Sequence, residues 1–156
     1  MPNNSFNPTA ARLNSSVMQY AKNTLAQSDR FEISHEYEVV YLSRDGKPSV
    51  VIGDFYGDPQ VAVIDHEEKW CAVGGHGLIV YFLEEPFDEY RYDQKSSQYF
   101  DVGREKDSEW WVESVQQIGA HEIQVRLESG DLHNISVKRD ATAPFAQNDG
   151  MRINQT

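Results

Sequence analysis

Residues 122–137 read EIQVRLESGDLHNISV, the most regular pattern in this chain. Apolar and polar residues alternate on both sides of a central Ser-Gly-Asp segment. Because successive side chains of a β-strand point to opposite faces, this alternation predicts two strands that each bury one face. Gly-Asp between two such runs predicts a tight turn. The residues expected to point inward are Ile123, Val125, Leu127, Ile135 and Val137.

Similar strand and turn signals extend towards the N-terminus as far as Phe31. Short apolar or alternating runs are separated by turn segments. Among these, Arg44-Asp45-Gly46-Lys47 contains the Asp-Gly pair that is typical of a tight hairpin. Gly57-Asp58-Pro59 and Gly74-Gly75-His76-Gly77 predict further turns. Antiparallel neighbours can be joined by such short loops, whereas parallel strands need long crossovers, so the pattern predicts an antiparallel meander.

The segment from Thr9 to Ser28 has a different pattern. Its apolar residues recur every four positions, at Leu13, Val17, Ala21 and Leu25. This spacing is typical of one face of an α-helix. We therefore expect a helix here that packs on the sheet.

The helix and the strands together predict an α+β fold. The N-terminal helix would pack on a twisted antiparallel β-sheet or half-barrel of about seven to eight strands. A β-sandwich is the alternative. We expect a single domain over residues 11–140, a disordered leader at 1–10 and a loose tail at 141–156, because both ends are polar and irregular.

The net charge limits the classes of partner. The chain has 156 residues, with 25 Asp and Glu against 14 Lys and Arg, which gives a formal charge of −11. Nucleic acids and acidic membrane surfaces require clustered basic residues, and the sequence has no such cluster. No nucleic acid and no membrane is therefore expected as a partner. A basic protein partner is compatible with this charge, because opposite fields accelerate encounter.

The cysteine count and the hydropathy pattern indicate in which cellular compartment the protein is expected. Cys71 is the only cysteine, so an intramolecular disulfide and a cysteine-based zinc site are excluded. Cys71 lies in an apolar run, which predicts a buried, unreactive thiol. The longest apolar run, from Leu78 to Leu83, is too short to span a bilayer, and we find no signal peptide. These features predict a cytoplasmic protein.

Residues 84–108 interrupt the strand pattern with a stretch rich in acidic and aromatic residues. Long connections of this kind are often functional, and aromatic residues are enriched at binding hot spots. Adjacent residues of a strand face opposite sides, so one of Trp110 and Trp111 should point outward. The first hypothesis is therefore an interaction module that binds a basic protein. Its predicted contact residues are Asp88, Glu89, Tyr90, Tyr92 and Trp111.

The second hypothesis is a small-molecule binding protein or small enzyme with an aromatic-lined pocket. The residues expected to line that pocket are Tyr81, Trp110 and His133. No catalytic motif, metal-ligand spacing or cofactor motif supports an enzyme. The Gly74–Gly77 segment lacks the helix and lysine of a phosphate loop, so a hairpin turn or bulge with an exposed His76 is expected. Exposed sheet edges would also permit a homodimer.

Two resemblances to known proteins bear on the origin and the role of this chain. Asn3-Asn4-Ser5-Phe6-Asn7-Pro8 resembles the translated recombination site of a bacterial integron gene cassette, which implies a self-contained protein of the mobile gene pool. Trp70-Cys71-Ala72-Val73 and the Gly130-Asp131 hairpin, within short strands at 50–84 and 109–138, resemble small acidic immunity proteins. That resemblance implies that the protein neutralises a bacterial toxin. It includes no shared binding motif, so it assigns no site residues in this sequence.

Overall fold

The computed structural model describes residues 22–139, and within them we find eleven β-strands in three antiparallel sheets and no α-helix. The first sheet has the order β1 (Asn23–Gln27), β2 (Phe31–Glu36), β3 (Val39–Arg44) and β4 (Lys47–Asp54). The middle sheet consists of β5 (Val61–Ile64), β6 (Trp70–Gly75), β7 (Gly77–Phe82) and β8 (Tyr99–Val102). The third sheet has β10 (Glu122–Leu127) at its centre, between β9 (Val112–Gly119) and β11 (Leu132–Ser136).

The middle sheet is covered on both faces. Every residue of β6 and β7 is buried. Their odd-numbered apolar side chains, such as Val73 and Ile79, pack against the first sheet. Their even-numbered ones, such as Ala72 and Val80, pack against the third sheet. The molecule therefore has two hydrophobic cores, one on each side of the middle sheet.

The predicted α+β fold is wrong, because the described part of the chain is all-β. The end of the expected helix, around Leu25, is the edge strand β1, which pairs with β2 through Thr24↔Ser34 and Ala26↔Ile33. Residues four apart share a face in a strand as well as in a helix, so the four-residue spacing did not discriminate between them. The earlier part of the expected helix, like the predicted leader at 1–10 and tail at 141–156, lies outside the described residues.

The sheet prediction is also wrong, because the described strands form three stacked sheets instead of one sheet or half-barrel. The alternative, a β-sandwich, differs from this arrangement by one layer. The reason lies in β6 and β7, whose uninterrupted apolar sequences supply both faces of a central layer. Local patterns identify such strands, but they do not show how many sheets the strands form.

Several local predictions are confirmed. Gly46, in the Asp-Gly turn between β3 and β4, has a φ of 67°, which glycine adopts without steric cost. The alternating residues Ile123, Val125 and Leu127 are buried, and the 112–136 region is a three-stranded meander with a polar outer face.

The third sheet packs closely on the middle sheet beside Gly74. A Cβ atom placed on Gly74 would lie 2.5 Å from Cγ1 of Val112, which is closer than side chains can approach. The glycine therefore allows the start of β9 to lie directly against β6. This contact positions the chain at Trp111, immediately before β9.

The connection between β7 and β8 packs against one side of the first and middle sheets. Tyr90 donates its backbone N–H to Val51 on β4, and its hydroxyl donates to Asp101 on β8. Gln98 is buried and holds the connection by donating to the carbonyls of Phe82 and Glu84. Residues 84–98 therefore form a structural link between the edges of the first two sheets.

No helix within residues 22–139 has the length and apolar character needed to cross a membrane. Cys71 is a buried free thiol in β6, as predicted. Burial raises the pKa of its thiol far above the ordinary value, so the thiol stays protonated at neutral pH.

Candidate binding cleft

A cleft of about 440 Å³ opens where the turn between β6 and β7 meets the start of the third sheet. Its size falls within the range of sites that hold a small ligand or one large side chain. It is lined by Gly57, Asp58, Gln60, Gly75, His76, Trp111, Val112 and Glu128. We refer to this set of residues as the cleft.

His76 lies at the base of the cleft. The predicted turn is confirmed, because Gly75 pairs with Gly77 across it. The prediction of an exposed histidine is wrong, because His76 is only 5% exposed. The chain after β8 folds over the turn, and Nε2 of His76 donates to the carbonyl of Ser108 at 2.8 Å. Nδ1 has no hydrogen-bond partner within residues 22–139.

Trp111 forms a wall of the cleft. Its ring stacks on His76 with 4.0 Å between the ring centroids and 17° between the planes, and its side chain is 42% exposed. Trp110 turns away and packs against the core between the middle and third sheets. The prediction that these adjacent tryptophans face opposite sides is therefore confirmed.

Arg104 holds the β6–β7 turn in place through hydrogen bonds to backbone carbonyls. Its Nη1 donates to the carbonyl of His76 at 3.0 Å, and its Nη2 donates to the carbonyl of Asp54. The guanidinium also lies over the rings of Phe55, at 4.7 Å, and Tyr92, at 5.7 Å. A single, partly buried arginine thus ties the β6–β7 turn to the end of β4.

The remaining cleft residues give it acidic character. Asp58 and Glu128 are exposed carboxylates, and the lining contains no lysine or arginine. The Asp58 loop is anchored next to the cleft, because the N–H of Gly57 donates to Glu38 at 2.7 Å. Glu128 is joined to Trp111 through the backbone, because its N–H donates to the carbonyl of Trp111 at 2.8 Å. An aromatic wall and two carboxylates are the groups that bind organic cations.

The residues predicted to contact a partner do not form one surface. Asp88 and Glu89 are exposed, but they lie beside β4, where Glu89 accepts a hydrogen bond from the N–H of Val51. Tyr90 is buried in the core. Tyr92 is exposed and covers Arg104. Trp111 alone among these five residues lines the cleft.

Burial also shifts the pKa of Tyr90, which belongs to this predicted set, and of its neighbour Asp101 on β8. Burial raises the pKa of the Asp101 carboxyl, although the hydrogen bond from Tyr90 and the charge of Arg104 oppose the shift. Burial likewise raises the pKa of the Tyr90 hydroxyl, and the nearby Asp101 charge adds to the effect. These groups have a structural role in holding β8 to the long connection.

The residues predicted to line a pocket are divided by the middle sheet. Trp110 and His133 meet, with ring centroids 4.7 Å apart. Tyr81 lies on the opposite side of the sheet, where it stacks on Tyr99 and donates to the carbonyl of Asp88 at 2.6 Å. None of the three lines the cleft.

Sequence reasoning missed the cleft as a unit. It identified the Gly57-Asp58-Pro59 and Gly74–Gly77 turns and the outward tryptophan, but treated them as separate features. Arg104 and Glu128 carried no local signal at all. The available indications of a site were the glycine-rich turn at 74–77 and the tryptophan pair at 110–111, which lie far apart in the sequence. Within the described residues, no group of three or more His, Cys, Asp or Glu side chains could hold a metal ion.

Comparisons of the chain with protein-family models, curated proteins and solved structures found no match. Its function is therefore inferred from the geometry and charge of the described residues.

Proposed function

We propose that this protein is an acidic interaction module that receives a cationic side chain of a basic protein partner in the cleft. The observation that supports this most directly is the exposed indole of Trp111, held flat by His76 in a cleft whose two charged lining groups, Asp58 and Glu128, are both carboxylates. Cations bind favourably over tryptophan faces, and carboxylates add charge-assisted hydrogen bonds.

Preorganisation supports the same proposal. A binding group that is already fixed loses little conformational entropy on association. The His76 stack, the Arg104 clamp and the Glu128–Trp111 backbone bond all hold the cleft in place. The net charge of −11 would accelerate encounter with a basic protein over longer distances.

The role of an immunity or antitoxin-like protein, acting in the cytoplasm on a basic toxin, is the proposed biological setting. It combines the acidic charge with the resemblances of the N-terminal segment and of the short-strand pattern. The integron-cassette origin belongs to this same proposal.

The test is an NMR titration with a basic peptide containing both lysine and arginine, and with a peptide in which glutamine replaces every basic residue. We expect the basic peptide to shift the indole N–H signal of Trp111, and the neutral one to leave it unchanged. Replacing both carboxylates, D58N with E128Q, should weaken binding by about tenfold or more. Equal shifts with the two peptides would overturn the proposal.

The matched control is D45N with E122Q, which changes the net charge by the same amount. Asp45 lies in the β3–β4 turn and Glu122 begins β10, and both are exposed and outside the cleft. This control should retain most of the affinity. If both double variants lose affinity equally, the interaction depends on overall charge, and the cleft is not its site.

A small organic cation is the second candidate ligand, because a volume of about 440 Å³ suits a small molecule. Native mass spectrometry of the protein purified gently from a bacterial host tests it. A reproducible extra mass of a few hundred daltons that is lost in the W111A variant would favour the small ligand over the protein partner.

A further inference from the structure

We infer that the group received by the cleft is a guanidinium, presented by an arginine of the basic partner. This inference rests on the proposed function and specifies its ligand. It starts from how this chain uses its own arginines.

Each cation–π contact within residues 22–139 is made by an arginine. Arg30, Arg44, Arg104 and Arg139 supply the guanidinium groups, and no lysine of this range takes part. In three of these contacts the same arginine donates to a carboxylate, and one of these arginines is Arg30, which lies over Phe31 and donates to Glu68 at 2.8 Å. The guanidinium of Arg44 lies 4.1 Å from the Phe87 ring centroid and donates to Glu85 at 3.2 Å. The guanidinium of Arg139 lies over Phe82 and donates to Glu84.

The cleft presents the same pair of groups, an aromatic face and a carboxylate. Trp111 and Glu128 both line the cleft, and a backbone hydrogen bond joins the two residues. No arginine of the described chain lies over Trp111. Because His76 covers one face of the indole, a ligand would stack on the other face, which contributes to the exposed part of this side chain.

A guanidinium fits this arrangement better than an ammonium. It is planar, so it can stack on the indole while its N–H groups point sideways to a carboxylate. It is also more weakly hydrated than the ammonium of lysine, so it loses less solvation when one face is covered. Lysine would reach one carboxylate as a point charge but would not match the flat surface.

His76 supports the face of the indole that the ligand does not contact. It is more than nine-tenths buried, and its Nδ1 has no partner within residues 22–139. Because Nε2 must carry a proton to donate to the Ser108 carbonyl, Nδ1 of the neutral ring is an acceptor. Because the imidazole and the ligand lie on opposite faces of the indole, His76 holds the indole in place and the carboxylates accept the N–H groups of the ligand.

The test compares three capped tripeptides, Gly-Arg-Gly, Gly-Lys-Gly and Gly-citrulline-Gly, in NMR titrations of the full chain. The Trp111 indole N–H is assigned from the W111F variant. We expect the arginine peptide to bind with a dissociation constant about threefold or more below that of the lysine peptide. The citrulline peptide keeps the planar shape without the charge and should bind at least tenfold more weakly than the arginine peptide, because its neutral N–H groups form no charge-assisted hydrogen bonds with the carboxylates.

The E128Q variant should remove most of the preference for arginine, and D45N should leave it unchanged. If lysine and arginine peptides bind equally, the guanidinium inference is overturned while the proposed cation-binding function stands. If the citrulline peptide binds as well as the arginine peptide, the recognition is of shape alone and the inference is again overturned. If no peptide, including the longer basic peptide, shifts the Trp111 signal, both proposals fail.

Discussion

The imidazole of His76 lies flat against the indole of Trp111, and the backbones of the two residues also pair as an isolated antiparallel bridge. One residue belongs to the turn between two buried strands, and the other immediately precedes the third sheet. Their contact joins the middle and third sheets at the cleft. The stability of the fold and the shape of the binding surface therefore depend on the same pair.

Replacing His76 by alanine should destabilise the fold and release Trp111. The variant loses an aromatic stack and the hydrogen bond to the Ser108 carbonyl, so we expect a loss of about 1–3 kcal/mol in the free energy of unfolding. Urea unfolding measures this loss. The Trp111 indole NMR signal should move towards the position of a solvent-exposed tryptophan.

Tyr56→Ala is the control for this variant. Tyr56 is exposed, and its ring centroid lies 6.0 Å from that of His76. Its removal should cost less than about 0.5 kcal/mol. Unchanged stability and an unmoved Trp111 signal in His76→Ala would show that the stack does not hold the indole.

Gly74→Ala should destabilise the contact between the middle and third sheets. The added methyl group would overlap the Val112 side chain, and overpacking of this kind costs about 1–3 kcal/mol. Chemical denaturation provides the measurement. Adding Val112→Ala removes Cγ1, the nearer of the two overlapping atoms, so the double variant should lose less than the sum of the two single losses.

Gly119→Ala is the matched control, since a Cβ there meets only the Cβ of Glu122, at an ordinary 3.7 Å. It should leave stability within about 0.5 kcal/mol of wild type. Equal losses at Gly74 and Gly119 would contradict the close-approach explanation.

Gln98→Leu should loosen the connection at 84–98. Leucine has similar bulk but leaves the carbonyls of Phe82 and Glu84 and the N–H of Asp88 without their side-chain partner. The loss of three hydrogen bonds made by one buried side chain should cost about 2–4 kcal/mol in total. Amide hydrogen exchange should accelerate in residues 84–90 more than in β10.

The exposed Gln94 supplies the comparison, because Gln94→Leu makes the same change outside the core. Its exchange pattern should match that of wild type. Unaltered exchange in both variants would mean that Gln98 does not hold the connection.

Glu68 should make the free energy of unfolding depend on pH in the acidic range. Hydrogen bonds from the Arg30 side chain, the Ser28 hydroxyl and the Arg30 N–H lower its pKa from an ordinary 4.5 to about 2. A carboxyl whose pKa is lower in the folded state stabilises the fold above the unfolded value, and this contribution disappears as the pH falls through the folded value. The difference in unfolding free energy between wild type and Glu68→Gln should therefore shrink between pH 4.5 and pH 2.

Urea unfolding across this pH range measures that difference. Glu67→Gln removes the neighbouring carboxylate, whose ion pair with Lys69 is solvent-exposed, and should have little effect at neutral pH. A difference between wild type and Glu68→Gln that stays constant with pH would contradict the assigned role of Arg30 and Ser28.

Local sequence patterns gave correct predictions where a pattern is compatible with only one local structure. Alternation identified the buried face at Ile123, Val125 and Leu127, and the Asp45-Gly46 pair identified a turn. Alternation also predicted that Trp110 and Trp111 face opposite sides. The helix prediction failed at its described end, because Asn23–Gln27 is an edge strand that pairs with β2, and the spacing of apolar residues does not report such pairing.

The sequence by itself determined that this is an acidic, strand-rich chain with one buried cysteine and an outward tryptophan, because charge, alternation and turn residues act over short distances. Only the tertiary structure decided that the strands form three layers and that His76 is buried beneath Trp111. It also decided that Asp58 and Glu128 share a cleft with them. These relations join residues far apart in the chain, and they depend on which sheet faces pack together, which no local pattern specifies.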